Sequence, residues 1–298
     1  MERCTSCVGV ACVIILWVMT YKRRNKMYLK TKDVDIYYER LGKGRPLVLI
    51  HGAVADASYF DETREYLKDY FDVITYDRRG YSRSVCKDQE HASYSIQDHA
   101  KDLVNLIEGL DLHGVVLVGH SAGGIMAMEA FQMIPGRIAH VVLYETPLIS
   151  MLAPERRDKL YQWNVRLEDM NRRGLHKETA REFGISVGEL DPRAREKEPY
   201  EKKKDRMNFA QFINYEFHEF TYYKPDFEFL KANARYITLM SGDRNQGHYF
   251  HSSMDTMEKE VGAEQVHVPG CHNAPFDVPL DFANGVLGIL LRRGLVRY

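Results

Sequence analysis

From residue 34 onward the chain alternates between two hydrophobic periods. Residues 34–38 (VDIYY) are β-branched and aromatic, a strand pattern. Residues 46–50 (PLVLI), 71–76 (FDVITY), 115–118 (VVLV) and 138–144 (IAHVVLY) are short apolar runs, as strands buried on both faces are. Between them lie stretches with apolar positions three and four apart. These are 59–70, 96–110 (with Leu103, Leu106, Ile107 and Leu110 on one stripe) and 125–134, which stops at Pro135-Gly136. Strands alternating with helices in this way predict a parallel, doubly wound α/β sheet.

The rhythm breaks at residue 148. Up to residue 231 no strong strand pattern recurs. A highly charged helical stretch (APERRDKLYQWNVRLEDMNRRG) is followed by an aromatic-rich one (KKKDRMNFAQFINYEFHEFTYYKPDFEFL). Residues 236–240 and 266–268 then read as strands, and 280–291 as a last helix. The expected organisation is a mostly parallel α/β core, residues 27–147 and 232–298, with a helical cap inserted at 148–231. Trp163, Phe212, Tyr215, Phe217 and Phe220 of the cap either roof a pocket for apolar groups or form the cap's own core.

The first 26 residues stand outside this rhythm. Residues 8–21 (VGVACVIILWVMTY) carry no charge. Extension back to Cys4 gives about eighteen residues, a short membrane span. Lys22, Arg23, Arg24 and Lys26 follow at once, and the positive-inside rule puts what comes after them on the cytoplasmic side. The expectation is therefore a membrane-anchored protein whose folded domain faces the cytoplasm. The alternative is a cytoplasmic chain that starts at Met27, with residues 1–26 a non-native extension. A secretion signal fits less well, because its positive charges should precede the apolar run and a small-residue cleavage site should follow it.

Composition narrows the function by exclusion. The chain has 298 residues, 45% of them apolar, and a formal net charge of −1, so it lacks the basic excess of a nucleic-acid binder. Five cysteines at irregular spacing form no disulfide framework and no zinc-type pairing. His248-x-x-His251 has the spacing of a metal pair but no evident third ligand. Neither metal nor organic cofactor is expected. The expected partner is a small-molecule substrate, and the oligomeric state is left open.

The chemistry concentrates at Gly119-His120-Ser121-Ala122-Gly123, a G-x-S-x-G string lying directly after an apolar strand and before a helix. That context suits a nucleophilic serine: a sharp strand-to-helix turn lifts its Oγ above the sheet, and small neighbours let the chain fold so tightly. Partial positive charge at the helix start favours a developing oxyanion. On this motif the chain resembles the α/β-hydrolase superfamily, from about residue 28 to the C-terminus. His51-Gly52-Ala53 follows the strand where that family has one oxyanion-hole amide, so the resemblance implies a hole made by the backbone N–H groups of Ala53 and Ala122. The segment Tyr76-Asp77-Arg78-Arg79-Gly80-Tyr81-Ser82-Arg83-Ser84 is similar to the family's D-x-R-G-x-G-x-S turn, with serine at one usual glycine, and the resemblance implies a structural role for it. Gly270-Cys271-His272 resembles the loop that carries the family's general base, which makes His272 the base that activates Ser121.

The third triad member departs from the family pattern. The strand before the last ends Ser241-Gly242-Asp243-Arg244-Asn245, so Asn245 stands in the usual acid slot and Asp243 comes two residues early. A second slot, used by certain haloalkane dehalogenases, lies after the strand that follows the nucleophile helix, and here it holds Glu145. Asp243 is the expected acid, by chain order and by the tight turn Gly242 permits; Glu145 is the alternative. The resemblance implies a serine hydrolase that cleaves an ester-like bond of a small to medium apolar substrate through an acyl-enzyme. C–C or thioester hydrolysis, or cofactor-free perhydrolysis, is open on the same fold. A non-catalytic binding protein of this fold is the reading from another class, disfavoured because the triad members are present.

Overall fold

A computed structural model describes residues 27–187 and 202–296, so the apolar segment 8–21, and with it the expected anchor, lies outside the described residues. Among the described residues no helix is long and apolar enough to cross a membrane. The strands are β1 (Met27–Lys30), β2 (Val34–Gly42), β3 (Arg45–Ile50), β4 (Phe71–Tyr76), β5 (Val85–Cys86), β6 (Val115–His120), β7 (Ile138–Tyr144), β8 (Ile237–Gly242) and β9 (Glu264–Val268). They form one sheet in the order β1-β2-β4-β3-β6-β7-β8-β9, with β5 paired to β2. β4 to β9 along this path are parallel; β1 and β2 pair antiparallel at one edge. The doubly wound, mostly parallel expectation holds.

The continuous apolar runs follow from burial on both faces. In β3, Leu47 and Leu49 point into one core while Val48 and Ile50 point into the other. β6 divides in the same way, Val116 and Val118 against Val115 and Leu117, because successive side chains leave a strand on opposite faces. One face is covered by α1 (Asp61–Leu67) and α11 (Pro279–Arg292), through Leu67, Phe282 and Val286. The other is covered by α2 (Ile96–Gly109), α3 (Ala122–Met133) and α9 (Tyr249–Val261), through Leu103, Ile125 and Met254. A short helix, α10 (Ala274–Asp277), precedes α11.

Between β7 and β8 run five helices: α4 (Pro154–Arg172), α5 (His176–Val187), α6 (Lys203–Tyr215), α7 (Phe217–Tyr222) and α8 (Phe227–Ala232). Phe183, Phe212 and Phe217 pack ring on ring, with centroids 5.1 to 6.1 Å apart, and Phe220 lies against Phe212 at 6.4 Å. These phenylalanines belong to one buried cluster that joins the inserted helices to the α/β core, Phe220 also lying against His99 and Arg78. Tyr215 is 58% exposed and leans on Tyr94, away from the ring cluster.

β1, β5 and α10 have no counterpart in the sequence expectation, and two longer elements also differ from it. The helix expected over 59–70 is a 3-10 turn, Ala57–Phe60, whose start is capped by Asp56 accepting from the Ser58 N–H, followed by α1, which ends at Leu67. The helix α9 was not expected at all. Its buried Phe250, Met254, Met257 and Val261 lie four, three and four residues apart, a helical stripe interrupted by buried His251 and Ser253.

Candidate active site

The chemistry-bearing residues lie where parallel strands end, at the carboxyl edge of the sheet, which is where open α/β sheets bind ligands. His51 and Gly52 follow β3, Ser121 follows β6, Glu145 follows β7, Asp243 follows β8, and His272 comes after β9.

Ser121 adopts φ 54°, ψ −127°, a left-handed conformation that costs a non-glycine residue about 1–3 kcal/mol. The surroundings impose it. The Ser121 N–H donates to the Tyr144 carbonyl at 2.9 Å, and its own carbonyl accepts from the Gly124 N–H at 2.9 Å. A Cβ on Gly119 would lie 2.5 Å from the Gly124 Cα, and one on Gly123 would lie 2.2 Å from the Ile50 carbonyl oxygen. Both glycines of the motif are thus required by close backbone approach. Gly52 is equally constrained, since a Cβ there would meet the Ser121 Cβ at 2.8 Å. This brings the loop carrying Ala53 against the serine, while Ala122 is the first residue of α3, where N–H groups have no partner inside the helix.

His272 is held from three sides. Its Nδ1 lies 2.9 Å from Glu145 Oε2. Its carbonyl accepts from His120 Nε2 at 2.9 Å, and the Tyr144 hydroxyl donates to the preceding Cys271 carbonyl at 2.6 Å. The Phe250 ring lies flat on the imidazole, centroids 3.6 Å apart and planes 11° from parallel. Ser121 is 7% and His272 3% exposed.

The expected contact between Asp243 and His272 is not formed; Glu145 makes it. Asp243 is exposed, and its Oδ1 accepts from the Gly270 N–H at 3.0 Å. The reason lies in the backbone. The Asp243 N–H still pairs with the Val268 carbonyl as β8 runs on beside β9, and the chain turns only afterwards, so Asp243 points outward and Asn245 inward. Asn245 Nδ2 donates to Glu145 Oε2 at 2.6 Å, and the Gly242 N–H donates to Oε1 at 2.9 Å. The slot that the family gives to an acid here holds an amide that anchors the acid from the other slot. Glu145 itself is fully buried at φ 46°. Burial pushes its carboxyl up to about 7, with the Gly242 N–H and the Asn245 amide pulling it back towards the ionised form.

The turn after β4 is structural at Asp77 and Arg79, which pair with Arg83 and Asp102. Ser82, at the position where glycine is usual, has φ 42°; its hydroxyl donates to Asp56 Oδ2 at 2.7 Å and its N–H to Asn208 Oδ1 of the cap at 3.1 Å. An open cleft of about 470 Å³ lies here, lined by residues that include Asp56, Arg83, Lys204 and Asn208 but neither Ser121 nor His272. His251 Nδ1 is paired with Asp255 at 3.1 Å, and among the described residues no group of three His, Cys, Asp or Glu is arranged to hold a metal. Asn245 and Phe250 were not anticipated as site residues. The substitution of asparagine for the usual acid was the one signal available for the first.

The comparisons agree with this architecture. The alpha/beta hydrolase fold family matches residues 45–235. An uncharacterized hydrolase of Bacillus subtilis, YraK, is 25% identical over 252 residues, covering 83% of this chain and 89% of that protein. Among solved structures, a bromoperoxidase from Bacillus anthracis superposes with a TM-score of 0.69 at 20% identity, over 90% of this chain and all of that one. A thermophilic esterase from Thermogutta terrifontis gives 0.66 at 20% identity, over 90% of this chain and 98% of that one. With a family match spanning well over half its length, on a sheet of this order and an elbow of this geometry, the chain belongs to the α/β-hydrolase fold family.

Proposed function

We propose that this hydrolase cleaves an ester-like bond of a small to medium apolar substrate through an acyl-enzyme on Ser121. The observation that carries the reading is the buried set of strained Ser121, His272 on its loop, and Glu145 at 2.9 Å from the imidazole Nδ1. Ser121 Oγ attacks the substrate carbonyl while its proton passes to His272 Nε2. Glu145 accepts from the Nδ1–H and stabilises the imidazolium. The Ala53 and Ala122 N–H groups receive the oxyanion. His272 then protonates the departing alcohol, and a water activated by the same imidazole releases the acid. Apolar acyl groups suit the flank of the site, where Ala53 and Val54 pack on the large apolar cluster shared by core and cap.

A panel of p-nitrophenyl esters of graded acyl length tests this. Turnover is expected, with a preference for short to medium chains, and the absence of hydrolysis of every ester by the folded protein would remove the proposal.

The reading also fixes a pH dependence. With the Glu145 carboxyl at about 7, kcat/KM is expected to fall as pH drops through that value, because a protonated carboxyl no longer holds the Nδ1–H or balances the imidazolium. The midpoint belongs to the Glu145–His272 pair as a unit. Asn245→Ala removes a donor to the carboxylate and is expected to move the acid limb to higher pH. An acid limb lying in the ordinary carboxylate range, or one that Asn245→Ala leaves in place, contradicts this account.

A further inference from the structure

Beneath the cap lies a second buried polar cluster that the proposed mechanism does not use. The Arg78 guanidinium, 1% exposed, donates from Nη1 to Glu216 Oε2 at 2.9 Å. Glu216 stands between α6 and α7 of the cap and is fully enclosed. It also accepts from the Tyr81 hydroxyl at 2.8 Å, and His99 Nε2 lies 3.1 Å from its other oxygen. A buried ion pair alone is a poor stabiliser compared with apolar groups of the same shape, because desolvation offsets the attraction. The cluster therefore calls for another role, and the free side of Arg78 supplies one. Its Nη2 donates to the Gly52 carbonyl at 3.3 Å.

That carbonyl belongs to the Gly52–Ala53 peptide, whose N–H is the proposed oxyanion donor. It accepts a second hydrogen bond, from His51 Nδ1 at 2.8 Å. The tautomer is fixed: the Arg78 backbone N–H can only donate, and it donates to His51 Nε2 at 3.0 Å, which leaves the imidazole proton on Nδ1. In a planar trans peptide the C=O and N–H point in opposite directions, so pinning the oxygen aims the hydrogen. Two donors on the oxygen, one of them cationic, also draw electron density from the unit and strengthen its N–H as a donor.

We propose that Glu216 of the cap, acting through Arg78, orients and polarises the Gly52–Ala53 peptide, so that the oxyanion hole is complete only when the cap is seated. Arg78 and Glu216 are on this account positioning residues, and cap displacement disables the transition state without touching Ser121 or His272. The inference rests on the proposed acyl-enzyme reading of the site.

The test uses the full chain and p-nitrophenyl butyrate, with a trifluoromethyl ketone as a probe that forms the oxyanion. Arg78→Met/Glu216→Leu removes both charges and keeps apolar volume in the cluster; Glu216→Gln keeps the shape and loses only the charge. For the double variant, kcat is expected to fall about 10- to 100-fold, with KM within about threefold, and affinity for the ketone to weaken by the same factor as kcat/KM. Glu216→Gln should show a smaller loss of the same kind. A folded double variant, or a folded Glu216→Gln, with wild-type kcat and ketone affinity overturns the proposal. So does a loss carried by KM alone. Ser121→Ala run alongside separates the two levels: if it retains turnover, the acyl-enzyme reading has failed, and if it is dead while both cluster variants are normal, only this proposal has.

Discussion

Ser121→Ala is expected to reduce ester turnover by about 10⁴-fold or more, to the residual rate that binding and an oxyanion hole alone sustain. The size of the effect follows from the covalent step. Without Oγ no acyl-enzyme forms, and a water is not positioned on the substrate carbonyl as the serine hydroxyl is, although His272 stays held by Glu145. The fold should be indifferent. Alanine meets the same steric cost as serine at φ 54°, so the strain is unchanged, and the close approach of Gly52 to the Ser121 Cβ survives. Thermal unfolding should move by no more than about 1 kcal/mol. Labelling by a fluorophosphonate should vanish with activity. A purified variant that unfolds like wild type yet hydrolyses esters at near wild-type rate would exclude Ser121 as the nucleophile.

Much of the fold could be read before any coordinates. β3, β6 and β7 are runs of Val, Leu and Ile because each buries both faces, and such runs alternating with amphipathic helical stretches point to a parallel sheet covered on both sides. The elbow was legible because Gly119 and Gly123 are required by contacts local to the turn. What escaped depends on longer-range geometry. The helix α9 has a helical apolar stripe, but its inward face also carries His251 and Ser253, which blur the period. Spacing cannot assign the inserted aromatics to a pocket or to packing, since both are apolar; Phe183, Phe212, Phe217 and Phe220 pack on one another inside the cluster shared with the α/β core. Glu216 reads in sequence as one charge among many, and its burial follows from long-range packing against Arg78, Tyr81 and His99.

Which carboxylate reaches His272 depends on how the chain leaves β8, where Asp243 is exposed and Asn245 is buried. The Asp243 N–H to Val268 pairing carries the strand pairing one step further, and it is the buried residue 245 whose side chain reaches Glu145. No propensity scale resolves such a step, because strand ends are set by the neighbouring strand. The occupant of the usual acid slot, Asn245, donates to the Glu145 carboxylate that reaches in from the end of β7.

The decisive comparison is between two amide substitutions. Glu145→Gln is expected to lower kcat by about 10⁴-fold, and Asp243→Asn to leave it within about threefold. Glu145 receives three donors: the Gly242 N–H, the Asn245 amide and, at 2.9 Å, His272 Nδ1. An amide offers one oxygen and one NH2 to this all-donor environment. Its NH2 must face a donor, and the arrangement that relieves the clash moves the imidazole proton to Nε2, so that this nitrogen, the proposed acceptor, can no longer take the serine proton. Asp243 makes one hydrogen bond through Oδ1, to the Gly270 N–H at the turn, and asparagine keeps that oxygen. Its cost should appear, if anywhere, in stability. The two variants, measured for kcat on one ester and for thermal unfolding, therefore separate an acid of the triad from an anchor of the loop. Loss of turnover in Asp243→Asn with Glu145→Gln active would reverse the assignment, and full activity in both would remove the carboxylate from the mechanism while leaving the Ser121 result to stand on its own.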